Sequence, residues 1–99
     1  MTRIELSDGA LSDLDRVLDH LLAQGAADAG ERVAEIVAAL DILRLHPRIG
    51  RPAGSDMREL VIGRDARGYV ALYRYRAEQD VVSVAAFRAQ REAGYGDGR

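Results

Sequence analysis

The hydrophobic period of the chain changes near Pro47, and this change restricts the possible folds more than any other feature. Before Pro47, apolar residues recur at intervals of three and four positions, which is typical of amphipathic helices. After it, apolar and polar residues alternate, which is typical of strands with one buried face. Helices that are followed by a separate set of strands predict an α+β fold, in which a helical hairpin covers one face of the sheet.

A short strand and a first helix are predicted at the start of the chain. "TRIELS" (2–7) alternates apolar and polar residues, which favours a strand with one buried side. A helix is predicted over roughly 9–24, with Ser7 and Asp8 suited to its N-terminal cap and Gly25 to its end. Its apolar stripe consists of Leu11, Leu14, Val17, Leu18, Leu21 and Leu22.

A second helix is predicted from about 28 to 45. It ends there because Pro47 cannot continue a helix and disfavours helical geometry at His46. Its stripe consists of Val33, Ile36, Val37, Leu40 and Leu43. The short link "QGAA" between the helices implies an antiparallel hairpin whose two stripes face one partner.

Three strands are predicted after an irregular segment at 46–56 that is rich in proline and glycine. They span 58–63, 68–76 and 80–88. The links "RDAR" and "AEQ" are short enough for an antiparallel meander, so the predicted order is β-α-α-β-β-β. One face of the middle strand carries Tyr69, Ala71, Tyr73 and Tyr75. We interpret these tyrosines as packing under the helices, with base stacking as the alternative.

Composition excludes several kinds of chemistry. The chain has 99 residues, which predicts one domain over 1–99, and it contains no cysteine and no lysine. Thiolate metal sites, thiol nucleophiles, amine bases and a complete P-loop are therefore absent from this sequence. No apolar run reaches the roughly 18 residues of a membrane span, and the N-terminus lacks the pattern of a signal peptide. We expect a cytoplasmic protein without a membrane, metal or cofactor role.

The charge is unevenly distributed although the net charge is only −2. Residues 1–45 contain four arginines and nine acidic residues, whereas residues 46–99 contain ten arginines and seven acidic residues. All of the basic side chains are arginine, which permits planar, bidentate recognition of carboxylates and phosphates. The second half is therefore the better candidate for a binding surface.

The histidines and the acidic residues of the first helix carry little functional signal. His20 and His46 lie 26 positions apart and lack the spacing of a metal-binding pair. Asp13, Asp15 and Asp19 lie off the predicted apolar stripe, so we interpret them as a solvated negative face.

The last predicted strand leads into "FRAQREAGY" (87–95). Strict alternation places Val82, Val84, Ala86 and Arg88 on one face of this strand. The residues alone leave open whether the arginines here are a solvated strand end or a functional site.

The chain resembles the ParE/RelE superfamily of toxins from bacterial type II toxin–antitoxin modules, and it is nearer to the ParE-like branch. The resemblance covers roughly 2–95. It rests on the succession "ALSDLDRVLDHLLAQG", "ERVAEIVAALDILRLHPRIGRP", "RELVIG", "GYVALYRY" and "AFRAQREAGY". The strand–helix–helix–three-strand order of this superfamily agrees with the order deduced from the patterns above.

The resemblance implies two alternative activities. RelE-like members are metal-independent, ribosome-dependent mRNA endonucleases, whereas ParE-like members are described as inhibiting DNA gyrase. RelE-like enzymes typically carry lysines on the second strand and an arginine after the "GY" of the third, where this chain has "ELVIG" and Val70. The negative net charge also disfavours docking on ribosomal RNA. We therefore expect a ParE-like toxin that acts by protein–protein contact, with the RelE-like nuclease as the alternative. A toxin fold that has lost its toxicity is a third possibility.

The resemblance also implies candidate site residues and partners. The target-binding candidates are Arg88, Gln90, Arg91 and Tyr95; a nuclease would use Arg88, Arg91 and Tyr95 as its catalytic residues. The antitoxin-binding candidates are Arg58, Tyr73, Arg74 and Arg76. The expected partners are DNA gyrase and a cognate antitoxin with a ribbon-helix-helix or similar DNA-binding part, which forms a hetero-oligomer with the toxin.

Overall fold

A computed structural model of the chain describes residues 1–63 and 68–90. The elements are β1 (Arg3–Leu6), α1 (Asp8–Ala23), α2 (Ala29–Ala38), α3 (Ile42–Leu45), β2 (Arg51–Pro52), β3 (Met57–Ile62), β4 (Tyr69–Arg76) and β5 (Val81–Ala89). A 3₁₀ turn at Ala39–Asp41 joins α2 to α3. The helices precede the main strands and pack on the sheet, so the predicted α+β class is confirmed.

Helix α1 begins and ends where its capping residues predict. The Ser7 hydroxyl oxygen accepts a hydrogen bond from the Ala10 N–H at 3.0 Å, which pairs one of the free N–H groups of the first turn. The chain leaves the helix through Gly25, which has a left-handed φ of 77°. The buried side chains of α1 are Ala10, Leu14 and Leu21, so the stripe that faces the core is centred closer to Ala10 than to Leu11.

The second predicted helix is not continuous. Helix α2 tightens into the 3₁₀ turn at Ala39–Asp41 before α3 begins. Residues three positions apart lie on the same side of a 3₁₀ helix, and Leu40 and Leu43 are accordingly both buried. His46 leaves helical geometry with φ −132° and ψ 68°, as expected for the residue before Pro47.

The five strands form one mixed sheet in the order β1-β5-β4-β3-β2. The antiparallel meander of β3, β4 and β5 is confirmed. Strand β1, for which the sequence pattern indicates no partner, lies parallel to β5, with Arg3 opposite Val81 and Leu6 opposite Val84. Parallel neighbours need a long connection, and the helices supply part of it.

The prediction that 46–56 is entirely irregular is wrong at β2. Arg51 and Pro52 pair with Glu59 and Arg58 of β3. Two residues are too few to show a strand period, and proline is tolerated here because β2 forms the edge of the sheet.

The core lies between the helices and one face of the sheet. Its largest fully buried side chains are Tyr73, Phe87, Leu43, Val82 and Val84. Tyr69 and Tyr75 are half-buried and pack against this cluster. The tyrosine face of β4 therefore packs under the helices, as the sequence pattern predicts.

A β-bulge in β5 changes which residues face the helices. Leu72 pairs with Ala86, but the next residue of β4, Tyr73, pairs with Val84, so Ala85 is the extra residue. Phe87 consequently joins Val82 and Val84 in the core. The sequence-based placement of Arg88 beside Val84 is wrong, because the bulge shifts the alternation by one position and Arg88 lies on the opposite face.

We call that opposite surface the helix-free face, because every helix in the described part of the chain packs on the other side of the sheet. The register assigns to it Arg3 and Glu5 of β1, Met57, Glu59 and Val61 of β3, Val70, Leu72, Arg74 and Arg76 of β4, and Val81, Ser83, Ala86 and Arg88 of β5. Within residues 1–63 and 68–90, no helix is long and apolar enough to cross a membrane.

Candidate functional site

Arg88 is the exposed cation at the end of β5 on the helix-free face. In the sheet register it lies opposite Val70, which in turn lies opposite Val61. Val70 is buried, whereas Val61 is 41% exposed. Ala86, two positions before Arg88, is on the same face. The residues opposite Arg88 on the neighbouring strands, and the residue before it on the same face, are therefore apolar.

Gln90 continues the same edge immediately beyond β5. Its N–H donates a hydrogen bond of 3.0 Å to the Gly68 carbonyl, so its backbone extends the pairing with the start of β4. Its side chain lies over Gly68, where an added Cβ would stand 2.5 Å from the Gln90 Nε2 atom. The structure therefore brings Gln90 and Arg88 together at one end of the sheet.

Arg91 and Tyr95, the two other candidates for target binding, lie outside the described residues. Arg64, which also belongs to the basic second half, lies outside them as well. The described part of the target edge thus consists of Arg88 and Gln90, and we use the term target edge for these two residues with Arg91 and Tyr95.

The bulge that orients Arg88 is held by side chains from the other end of the chain. The Ser7 hydroxyl donates to the Ala85 carbonyl at 3.1 Å, and the Asp13 Oδ2 atom accepts from the Phe87 N–H at 2.9 Å. The interpretation of Asp13 as part of a solvated face is therefore wrong. Its side chain is 17% exposed, and its other oxygen pairs with Arg16 at 2.8 Å.

A sequence signal for Asp13 was available in the helical spacing. Asp13 lies three positions after Ala10 and four before Val17, and both of these residues pack in or against the core. When Ala10 is included among the core residues of the helix, position 13 falls on the buried side. When only the leucines are used, position 13 falls outside the apolar stripe.

The four antitoxin-binding candidates fall on two different faces of the sheet. Arg74 and Arg76 belong to the helix-free face, where Arg74 Nε pairs with Asp56 at 2.9 Å and Arg76 is exposed. Arg58 and Tyr73 belong to the helix side and bind the backbone of the loop that follows α3.

Tyr73 fixes this loop through one buried hydroxyl group. The hydroxyl donates to the Pro47 carbonyl at 2.8 Å and accepts from the Gly50 N–H at 2.9 Å. Arg58 adds hydrogen bonds to the carbonyls of Arg48 at 3.0 Å and Gly50 at 2.8 Å. Burial raises the pKa of the Tyr73 phenol, so the hydroxyl stays neutral and can keep both roles.

A second polar cluster joins the turn between β4 and β5 to the start of the chain. Asp80, whose φ is 55°, accepts hydrogen bonds from the hydroxyls of Thr2 at 2.6 Å and Tyr75 at 2.8 Å. These donors, Thr2 first, lower the pKa of the Asp80 carboxyl, and the same contact with Asp80 raises the pKa of Tyr75. Both shifts favour a charged carboxylate that accepts from neutral hydroxyls.

The histidines do not form a metal site within the described part of the chain, where no three histidine or acidic side chains lie close enough together to hold an ion. His46 instead borders a shallow groove of about 310 Å³ that is also lined by Pro47, Arg48 and Ile49. The Arg48 guanidinium lies 4.8 Å from the centre of the Tyr75 ring, which adds a cation–π contact to this loop.

Comparison with known proteins agrees with the fold and with the sequence pattern. Residues 4–94 match the family described as the ParE toxin of type II toxin–antitoxin systems, parDE. A curated relative, toxin RelE3 of Caulobacter vibrioides, is 32% identical over 88 residues, which are 89% of this chain and 94% of the relative.

Two solved structures show the same fold at lower identity. The chromosomal ParDE toxin–antitoxin system from P. aeruginosa has a TM-score of 0.76 and 22% identity, and covers 90% of this chain and 96% of that one. The intact RelBE toxin–antitoxin complex of E. coli has a TM-score of 0.63 and 18% identity, and again covers 90% and 96%.

The family match spans nearly the whole chain, from the second residue of β1 to beyond the end of β5. Together with the relative and the shared fold, it shows that this chain belongs to the ParE toxin family of type II toxin–antitoxin systems, within the ParE/RelE superfamily.

Proposed function

We propose that this toxin acts by protein–protein contact through its target edge, and that DNA gyrase is the target. The observation that carries the proposal is the apolar setting of Arg88, which lies opposite Val70 and next to Ala86 on the helix-free face. An arginine whose stem can cover apolar surface while its guanidinium reaches a partner is a common anchor of protein interfaces. A nuclease would instead require several fixed cations around the phosphate of the RNA bond that it cleaves, to stabilise the transition state.

A gyrase assay tests this proposal directly. The purified toxin should inhibit supercoiling or trap DNA breaks, and Arg88→Ala should weaken this effect by about tenfold or more if Arg88 is an anchor. Arg32→Ala is the matched control, because Arg32 is on α2, away from the target edge. Wild-type toxin that neither inhibits gyrase nor traps breaks would remove gyrase as the target.

The alternative function is a RelE-like mRNA endonuclease that acts on translating ribosomes. The observation in its favour is the 32% identity to a relative named as a RelE toxin. In that case Arg88, Arg91 and Tyr95 would provide the charge and the proton donor at the cleaved bond. Codon-specific mRNA cuts that disappear with Arg91→Ala would favour the nuclease and contradict a purely binding function.

We also propose that a cognate antitoxin neutralises the toxin and forms a hetero-oligomer with it. The similar solved structures are described as a ParDE system and a RelBE toxin–antitoxin complex. Arg74 and Arg76 would meet acidic side chains of the antitoxin on the helix-free face, while Arg58 and Tyr73 would act indirectly by holding the loop. A gyrase target places this action in the cytoplasm.

Titration calorimetry with a cognate antitoxin tests the assignment of these residues. Arg76→Ala should weaken binding more than Arg32→Ala, and the difference should shrink at high salt because exposed charges are screened. Equal affinities for both variants would remove Arg76 from the antitoxin interface. A ribbon-helix-helix region in that antitoxin is expected to bind DNA.

A further inference from the structure

Strand β5 is longer than its parallel neighbour, so part of its edge has no adjacent strand among residues 1–63 and 68–90. Strand β1 ends at Leu6, opposite Val84, whereas β5 continues to Ala89. The backbone of β5 beyond Val84 lies next to the beginning of α1. Where a helix covers a strand edge, the N–H and C=O groups of that edge need other hydrogen-bond partners.

Ser7 and Asp13 supply these partners at successive positions along β5. The Ser7 N–H donates to the Val84 carbonyl at 3.0 Å, and the Ser7 hydroxyl donates to the Ala85 carbonyl at 3.1 Å. The Asp13 carboxylate then accepts from the Phe87 N–H at 2.9 Å. Ser7, which caps α1, and Asp13 of α1 thus continue the pairing that β1 begins, with one backbone N–H and two side chains in place of a strand.

The position of this pairing coincides with the bulge. Ala85 is the extra residue, and Ser7 and Asp13 bind the backbone at Ala85 and at Phe87, two positions later. Without an extra residue, alternation would exchange the faces of Phe87 and Arg88, since the side chains of a strand have a period of two. Phe87 would leave the core and Arg88 would enter it.

From this geometry we infer that Asp13 is a positioning residue for Arg88, and that it controls the affinity of the toxin for its target through the bulge. The inference rests on the proposed function in so far as Arg88 contacts the target. Asp13 itself lies on the helix side of β5, so it acts through the backbone of Phe87. The other carboxylate oxygen accepts a hydrogen bond from Arg16, and the bond to Phe87 keeps one of the two orientations that Arg88 could take.

The geometric part is tested by NMR on Asp13→Ala, Asp13→Asn and the control Asp15→Ala, since Asp15 is exposed on the same helix. Asp13→Ala should accelerate amide exchange at Phe87 by about tenfold or more and weaken the nuclear Overhauser contacts between Arg88 and Val70. Asp13→Asn keeps an oxygen acceptor and should restore most of both signals. Unchanged signals at Phe87 and Arg88 in Asp13→Ala would overturn the inference.

The functional part is tested by a double-mutant cycle with Arg88→Ala, measured both as inhibition of growth and as inhibition of gyrase. Asp13→Ala should lower potency by about tenfold in the presence of Arg88 and by less than about twofold in the Arg88→Ala background. A purely structural role of Asp13 would lower potency equally in both backgrounds and would contradict the inference. Thermal unfolding confirms that each variant is folded. If Asp13→Ala is not folded, Asp13→Leu takes its place in the cycle, because it also lacks the acceptor but fills more of the space of the aspartate.

The two proposals can fail separately. If the wild-type toxin arrests growth without affecting gyrase, the gyrase proposal fails, while the growth cycle and the NMR signals still decide the role of Asp13. If Arg88→Ala is as potent as the wild type in both assays, Arg88 is not a target contact, and the control of target affinity by Asp13 is overturned with it.

Discussion

The Asp13 carboxylate of α1 accepts a hydrogen bond of 2.9 Å from the Phe87 N–H of β5, across a sequence separation of 74 residues. This bond joins the beginning of the first helix to the last strand just before the target edge. It lies beside the bulge that sends Phe87 into the core and Arg88 to the helix-free face. Asp13, on the helix side of the sheet, is therefore bonded to the segment that carries Arg88 on the opposite face.

The same bond should contribute measurably to stability. Asp13→Ala leaves the Phe87 N–H without its acceptor, and we expect the free energy of unfolding to fall by about 1.5–3 kcal/mol, the usual range for bonds to charged groups. Urea denaturation measures this change. Asp15→Ala, on the exposed side of α1, should change the free energy by no more than about 0.5 kcal/mol. Equal effects of the two variants would contradict the structural role of Asp13.

The hydroxyl of Tyr73 should matter far more than that of Tyr69. Tyr73→Phe removes the donor to Pro47 and the acceptor for the buried Gly50 N–H, so a loss of about 1–3 kcal/mol in unfolding free energy is expected. Tyr69→Phe is the matched control on the same strand and the same face, and it should be nearly neutral. Chemical denaturation of both variants gives the comparison, and a neutral Tyr73→Phe would show that the loop does not depend on this hydroxyl.

Gly50 is a position where the backbone passes too close to its neighbours for any side chain. An added Cβ would stand 2.7 Å from the Tyr73 hydroxyl oxygen and 2.8 Å from the Glu59 carbonyl oxygen. Gly50→Ala should therefore destabilise the fold by about 1–3 kcal/mol, as expected for overpacking. Gly30→Ala in α2 meets open space and should instead stabilise the fold by up to about 1 kcal/mol through helix propensity. Thermal unfolding measures the midpoint temperature of each variant. A shift of both midpoints in the same direction relative to the wild type would contradict this contrast.

Acid should weaken the fold partly through Asp80. The pKa of this carboxyl is lowered in the folded protein by hydrogen bonds from Thr2 and Tyr75. Its charged form therefore stabilises the fold above the unfolded pKa of about 4, and this contribution is lost as the pH falls through the lower, folded pKa. Asp80→Asn, which tolerates the same left-handed backbone, should show a smaller loss of stability on acidification.

Unfolding free energies measured between neutral and acidic pH check this expectation. Tyr75→Phe is the companion variant, because it removes one of the two hydroxyl donors to the Asp80 carboxylate. It should also lose less stability on acidification than the wild type does. An identical acid dependence for Asp80→Asn and the wild type would show that the hydroxyl contacts of Asp80 do not contribute.

A substitution at Gly68 can move the Gln90 side chain with little effect on the stability of the fold. A Cβ at Gly68 would stand 2.5 Å from Nε2 and 2.6 Å from Cδ of Gln90, so the end of this flexible side chain must move. Gly68→Ala should change the unfolding free energy by less than about 1 kcal/mol, because a surface side chain can rearrange at low cost. If Gln90 contacts the target, growth inhibition should fall in Gly68→Ala and in Gln90→Ala, and the double variant should lose no more than either one. Full toxicity of Gln90→Ala would remove this residue from the target edge.

Local patterns predicted most of the elements but not the details of the site. The stripe of Leu14 and Leu21 in α1, the burial of Leu43 in α3, the cap at Ser7 and the break at Pro47 each depend on residues nearby in the sequence, and the structure agrees with them. The sequence did not reveal β2, because two residues at an edge show no period. It misplaced Asp13, because the hydrogen-bond partner of that residue lies at the other end of the chain.

The sequence by itself determined the α+β class, the order of helices and strands, the tyrosine face that packs in the core, and the family. Each of these depends on periodicity, caps and turns that are local along the chain. Only the tertiary structure decided that β1 lies parallel to β5, that Tyr73 holds the loop after α3, and that Arg88 faces away from the helices. Alternation along a strand assigns side chains to faces only while the register with the neighbouring strand is unbroken. In "VVSVAAFR" a bulge breaks the register, and the side chains that bind the backbone there, Ser7 and Asp13, come from a distant part of the chain.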